Sequence, residues 1–68
     1  MYQVLTKNEN RDWVLDSYSA ENHRDVEDAF KKEFPRRVIY GIFENGQLVY
    51  SWGLADPGRV YRSLAGNR

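Results

Sequence analysis

The sequence predicts a single small α+β domain, residues 1–68, in the order ββαββ, with two antiparallel hairpins in one sheet and one main helix packed on a face of that sheet. Three observations favour this fold. Asn45 and Gly46 separate two runs of β-branched and aromatic residues, which is the strongest short hairpin pattern. Residues 2–7 alternate as a strand does, and residues 26–34 place apolar side chains at helical spacing.

The N-terminal segment predicts the first hairpin. Residues 2–7 (YQVLTK) alternate between two sets of side chains and form the first predicted strand. Residues 8–12 are polar and predict a turn. Residues 13–19 (WVLDSYS) predict a second strand, although Asp16 and Ser17 interrupt its alternation. Because the connection is short, we expect the two strands to pair antiparallel.

The main helix is predicted between the two hairpins. It begins after Ser19 or Asn22, since either side chain can accept a hydrogen bond from a free amide at a helix start. Apolar residues at positions i, i+3, i+4 and i+8 form one stripe: Val26, Ala29, Phe30 and Phe34. Pro35 ends the helix, because the residue before a proline is pushed out of the helical region.

The second hairpin, residues 38–53, is predicted to have two apolar sides. Its two-residue turn predicts these facing pairs, which share a side of the sheet: Glu44 and Gln47, Phe43 and Leu48, Ile42 and Val49, Gly41 and Tyr50, Tyr40 and Ser51, Ile39 and Trp52. The heavier side is predicted to be core and comprises Ile39, Gly41, Phe43, Leu48, Tyr50, Trp52 and Leu54. The lighter side comprises Val38, Tyr40, Ile42, Glu44, Gln47, Val49 and Ser51. The middle of this lighter side is apolar where a solvent-facing side should be polar, which is the main functional indication in the chain.

Two alternatives remain for the C-terminal segment. Asp56, Pro57 and Gly66 fit the N-cap, the first position and the end of a short helix. A helix of this length is marginal without tertiary packing, so a turn followed by a frayed tail is the other alternative. A helix would place three apolar residues on one side and fold them over the lighter side of the hairpin: Val60, Tyr61 and Leu64.

The composition argues against several classes of site. The chain has no cysteine and one histidine, so disulfides, zinc–thiolate sites and a dedicated transition-metal site are not expected. His23 is the only histidine, and no nucleophile motif or phosphate-binding glycine loop accompanies it. We therefore expect no enzymatic activity, no catalytic residue, no bound metal and no cofactor.

The sequence predicts a cytoplasmic location without a membrane partner. The residues after Met1 lack the basic and apolar segments of a signal peptide. No apolar run approaches the roughly 20 residues that a membrane-spanning helix needs.

Nucleic-acid binding is one functional hypothesis. The formal net charge is zero, but the first half of the chain is acidic and the second half is basic. Arginines could bind phosphates and tyrosines could stack on bases. The residues of this hypothesis are Arg36, Arg37, Arg59, Tyr61, Arg62 and Arg68. The neutral total charge weighs against it, because nucleic-acid modules usually have a clear basic excess.

Protein binding is the leading hypothesis. An exposed apolar patch with a charged rim is typical of protein interfaces, and Tyr and Arg are enriched among the residues that anchor them. The predicted partner-binding residues are Val38, Tyr40, Ile42, Val49, Arg36 and Arg37. The partner is either a second copy of the chain or a larger protein that this module regulates or inhibits. A homodimer would supplement a marginal core, because a chain this short buries only about 60% of its unfolded surface.

Overall fold

The computed structural model describes residues 1–66 and confirms the predicted α+β fold, with the C-terminal helix present. The elements, in chain order, are β1 (Tyr2–Lys7), β2 (Trp13–Tyr18), α1 (His23–Glu33), β3 (Ile39–Glu44), β4 (Gln47–Ser51) and α2 (Pro57–Ala65). The four strands form one antiparallel sheet in the order β2-β1-β3-β4. The N-terminal strand is therefore central, and β2 and β4 are the two edges.

Helix α1 packs on one face of the sheet. Asn22 is its N-cap, and the Asn22 side chain accepts a hydrogen bond from the backbone N–H of Asp25 at 3.0 Å. The helix ends at Glu33, immediately before the Phe34-Pro35 pair. Val26 and Phe30 are fully buried against strand residues that include Tyr2, Val4, Ile39 and Ile42. Ala29, which the spacing placed in the apolar stripe, is exposed.

The second hairpin has the predicted turn but not the predicted register. Asn45 and Gly46 both have positive φ, 50° and 86°, as a two-residue hairpin turn requires. Glu44 pairs with Gln47 and Phe43 pairs with Leu48, as predicted. The pairing then shifts, because a β-bulge at Val49 inserts one extra residue into β4. Beyond Phe43 the predicted pairs are wrong: Ile42 faces Tyr50, and Gly41 faces Ser51.

A second irregularity lies where β3 pairs with β1. Leu5 faces Gly41 and Thr6 faces Ile39, so Tyr40 has no opposite residue. The two shifts place Ile39, Ile42 and Tyr50 together on the α1 face. The predicted division of the hairpin into a heavier and a lighter side is therefore wrong. Trp52, predicted to be core, is 58% exposed.

Helix α2 covers the opposite face of the sheet. Asp56 is its N-cap, with a side-chain oxygen accepting from the Arg59 N–H at 3.2 Å, and Pro57 is its first residue. The Tyr61 ring stacks on the Phe43 ring, and the Tyr61 hydroxyl donates to the side-chain oxygen of Gln3 at 2.7 Å. Both faces of the sheet are thus packed under a helix.

Candidate protein-binding surface

Strand β4 is an edge with exposed apolar side chains along it. Leu48 and Val49 of β4 are 44% and 37% exposed, Trp52 just after β4 is 58% exposed, and Val38 just before β3 is 44% exposed. We call these four residues the β4 surface. No charged residue lies within β4, whose sequence is QLVYS. An exposed strand edge presents unpaired backbone N–H and C=O groups, which makes it a template for another strand.

A groove runs beside the β4 surface, between α1 and the edge strand. It has a volume of about 290 Å³ and is lined by Glu27, Lys31, Arg37, Val38, Ile39, Tyr50 and Trp52. The groove exists because α1 contacts β1 and β3 and leaves the adjoining side of β4 open. Tyr50 is half-buried at the edge of the core, and Val38 and Trp52 continue the apolar lining to the outside.

The groove has a basic end. Arg37 lies two residues before β3, and its guanidinium lies 4.3 Å from the centre of the Phe34 ring. Its contact with the carboxylate of Glu9 is long, at 3.7 Å, and Glu9 is nearly fully exposed. Lys31 lines the same groove and pairs with Glu27 at 3.2 Å across one helical turn. Each of these two cations has an acidic neighbour, and the exposed Arg36 in the adjoining loop adds a further positive charge at this end.

The other end of the hairpin is acidic. Glu44 ends β3 and faces Tyr2 across the sheet. The pKa of the Tyr2 hydroxyl is raised, and burial is the largest cause. The charge of Glu44, its hydrogen bond to Tyr2 and the charge of Asp25 raise this pKa further, in decreasing order. The Glu44 carboxylate of the sheet and the Asp25 carboxylate near the start of α1 are therefore both close enough to the Tyr2 hydroxyl to raise its pKa. Because Arg37 and Glu44 are at opposite ends of β3, the surface is electrically polar along the strand direction.

The opposite edge, β2, is built differently. Asp16 lies in the middle of β2 and faces Val4, so it is on the α1 side of the sheet. Its Oδ2 atom is buried and has no hydrogen-bond partner among the described residues. An inward-pointing charge on an edge strand opposes pairing with another strand. Of the two edges, β4 is therefore the one suited to pairing.

Of the six predicted partner-binding residues, four lie on the β4 surface or near the groove, one is half-buried and one is fully buried. Val38 and Val49 lie on the β4 surface, Arg37 lines the groove, and Arg36 is exposed in the loop beside it. Tyr40 is half-buried, with its ring edge-on to Trp13 and next to Trp52.

The prediction that Ile42 binds a partner is wrong. Its side chain is fully buried under α1, so it cannot contact a partner. The physical reason is that α1 packs on the side of the sheet that holds Ile42 and Val4, which is the side that the sequence predicts to be open. Trp52 follows β4, beyond the bulge at Val49, and is exposed; sequence reasoning assigned it to the core and therefore missed it as a surface residue. No feature of the sequence alone marks the bulge at Val49.

The residues of the nucleic-acid hypothesis are not brought together. Arg36 and Arg37 follow α1, whereas Arg59 and Arg62 lie on α2, which packs on the opposite face of the sheet. Tyr61 is engaged by Phe43 and Gln3, so its ring is not free to stack on a base. Arg68 lies outside the described residues. Nucleic-acid binding stays a prediction that no contact in this structure supports.

The only histidine, His23, lies at the start of a helix. His23 is the first residue of α1 and is half-buried. Across residues 1–66, no cluster of three or more His, Cys, Asp or Glu side chains is arranged to hold a metal ion. In the same range, neither helix has the length and apolar character to cross a membrane.

Tyr18 donates a hydrogen bond to Glu33 at 2.7 Å, and burial together with this bond raises the pKa of Tyr18 to about 12.

Comparison with known proteins found no matching protein family, and neither curated proteins nor solved structures gave a match.

Proposed function

We propose that this chain is a non-enzymatic protein-binding module that acts through strand β4 and the groove beside it. One observation supports this most directly: an uncharged edge strand lies next to the exposed Trp52 ring. Such an edge offers two kinds of contact at once. Its backbone groups can pair with an added strand, and the adjoining groove can receive side chains of that strand.

The residues available on this surface suit a protein interface. Aromatic side chains and arginine are enriched among the residues that contribute most to binding, and Trp52, Tyr50 and Arg37 line one groove. Trp52 presents a large exposed ring, whereas Tyr50 and Arg37 are already partly held by neighbouring packing. Side chains that are held in place lose less conformational entropy on binding.

The proposed biological role is regulation or inhibition of a larger protein. A module of this kind changes the activity of a partner by covering one of its strands or by holding it in one conformation. The contact is expected to be small, because β4 has only five residues. Small interfaces are typical of transient, regulatory encounters.

The experiment is affinity capture from a lysate of the cells that naturally make the protein, with and without nuclease. Trp52→Ala removes the exposed ring on the β4 surface. Leu64→Ala is the matched control, because Leu64 is a similarly exposed apolar residue at 42%, but on α2. We expect a nuclease-resistant protein partner that Trp52→Ala loses and Leu64→Ala retains. Equal capture by both variants would overturn the proposed site, and loss of all capture after nuclease would favour nucleic acid.

A further inference from the structure

We propose that the β4 edge pairs with the β4 edge of a second copy of this chain, antiparallel and across a two-fold axis. This inference rests on the proposed function, since it names the partner for the same surface. The result would be one continuous sheet with the two β4 strands at its centre. Such an interface is isologous, meaning that the same patch must be complementary to itself.

The choice of edge follows from the charges on the two edge strands. Pairing of two β2 edges would place an Asp16 carboxylate on each side of the seam, each with an Oδ2 atom that is buried and has no hydrogen-bond partner in the described part of the chain. Two β4 edges bring no charge opposite a like charge, because residues 47–51 are uncharged. A bulge can hinder the pairing of an edge strand with another chain, as an edge lysine can. The bulged residue here is Val49, which is apolar and partly exposed.

The charge at the ends of the hairpin selects the antiparallel arrangement. Arg37 and Lys31 lie at one end of the groove, and Glu44 lies at the far end of β3, roughly 20 Å away along the strand. A two-fold axis perpendicular to the sheet places the acidic end of one copy beside the basic end of the other. A parallel pair would instead bring Glu44 beside Glu44 and Arg37 beside Arg37.

The electrostatic effect is one of orientation. Glu44 of one copy and Arg37 of the second copy would be separated by three strand spacings, about 14 Å between backbones. Because both side chains are long, the distance between their charges is shorter than the distance between the backbones and approaches the Debye screening length of about 8–10 Å. The charges therefore favour one orientation and contribute modestly to affinity.

The apolar residues supply most of the binding. Val49 is the central residue of β4, so the axis passes beside it and the two valines meet. Val49 and Trp52 of each copy, 37% and 58% exposed in the single chain, lose solvent contact on pairing. Both grooves open on the same side of the joined sheet, because an axis perpendicular to the sheet keeps its faces. Burying this surface adds to a core that is small for a stable domain.

The first test is sedimentation equilibrium of the purified chain. The unmodified protein should show a reversible monomer–dimer equilibrium. Val49→Lys should weaken the dimer about tenfold or more, because it places two like charges at the axis and removes an apolar contact. Ser17→Lys is the matched control, since Ser17 is an exposed residue of the other edge strand. It should leave the dimer unchanged, and a dimer lost with Ser17→Lys but not with Val49→Lys would overturn the proposal.

The second test exchanges the charges. Glu44→Lys makes both ends of the surface basic, and Arg37→Glu makes both ends acidic. Each variant alone should dimerise roughly two- to fivefold more weakly than the unmodified chain. An equimolar mixture should form a heterodimer at least as stable as the unmodified homodimer. Homodimers that are unaffected by either change would overturn the antiparallel arrangement.

The two proposals fail separately. If the unmodified chain is monomeric up to its solubility limit, the second copy is excluded as the occupant. Trp52-dependent capture of another protein would then still support the proposed function. If the chain dimerises as described, the dimer itself accounts for the β4 surface, whether or not a further protein is captured.

Discussion

Tyr61 of α2 stacks on Phe43 of β3 with ring centroids 4.1 Å apart and an angle of 19° between the ring planes. This contact joins the last element of the chain to a central strand, and the Tyr61 hydroxyl adds a hydrogen bond to Gln3 of β1. Helix α2 is therefore part of the folded domain rather than a frayed tail. Its packing also decides which apolar residues stay on the surface.

The first prediction concerns this contact. Tyr61→Phe removes only the hydrogen bond to Gln3 and should lower the free energy of unfolding by about 0.5–1.5 kcal/mol. Tyr61→Ala also removes the stacked ring and should cost about 2–3 kcal/mol. Urea denaturation followed by circular dichroism measures both. An Ala variant as stable as the Phe variant would show that α2 is not held through the ring.

The second prediction contrasts two hairpin residues. Ile42→Ala leaves a cavity under α1 and should lower the free energy of unfolding by about 2–5 kcal/mol. This is a large part of the total free energy of unfolding of a domain this small. Trp52→Ala removes a ring that is mostly in water and should cost less than about 1 kcal/mol. The same denaturation experiment compares them. The reverse order of stabilities would support the register predicted from the sequence instead of the bulged one.

The third prediction applies one substitution at two glycines. A Cβ atom at Gly41 would lie 3.2 Å from the Phe43 side chain and 3.5 Å from Pro57, and the Phe43 ring is held by Tyr61. Gly41→Ala should therefore destabilise the domain by about 1–3 kcal/mol.

Gly58→Ala is the matched control for that change. The nearest atom there is the mobile end of the Arg62 side chain, and Ala is the better helix former. We expect a gain of about 0.5–1 kcal/mol in the free energy of unfolding. Thermal melts of both variants should shift in opposite directions, and a shared direction would contradict the packing of α2 on Gly41.

The fourth prediction concerns alkaline pH. The pKa of Tyr18 is raised from 10.0 to about 12 by burial and by its hydrogen bond to Glu33, so folding favours the protonated hydroxyl. This contribution to stability is fully present below pH 10 and is lost as the pH rises from 10 towards 12. Tyr18→Phe should therefore lose less stability than the unmodified chain over that range. Parallel curves of melting temperature against pH would contradict the assignment.

The sequence predicted the parts of the fold that depend on local chemistry. Asn45 and Gly46 tolerate positive φ, Asn22 caps a helix, and Pro57 starts one, so each element was recoverable from its own residues. The bulge at Val49 was not, because an extra residue in one strand is defined by its pairing with the other strand.

The candidate site was predictable only in part for the same reason. Val38 and Val49 are exposed and Arg37 lines the groove, so these three remain candidates, and their part in binding stays a prediction. Ile42 was predicted to be open because the sequence does not show which side of the hairpin α1 covers. Trp52 was predicted to be core because the register was extended past Val49 without the bulge. That two helices cover both faces, leaving an edge open, depends on contacts between distant parts of the chain.

Hydrogen–deuterium exchange of the edge-strand amides tests most directly whether β4 is the surface that pairs with another chain. Exchange would be compared between residues 47–51 and residues 13–18, in dilute and in concentrated solutions of the purified chain. We predict slower exchange at high concentration in β4 and no change in β2, because new strand hydrogen bonds form only at the β4 edge. Slowing confined to β2 or to α2, or no concentration dependence in β4, would contradict it.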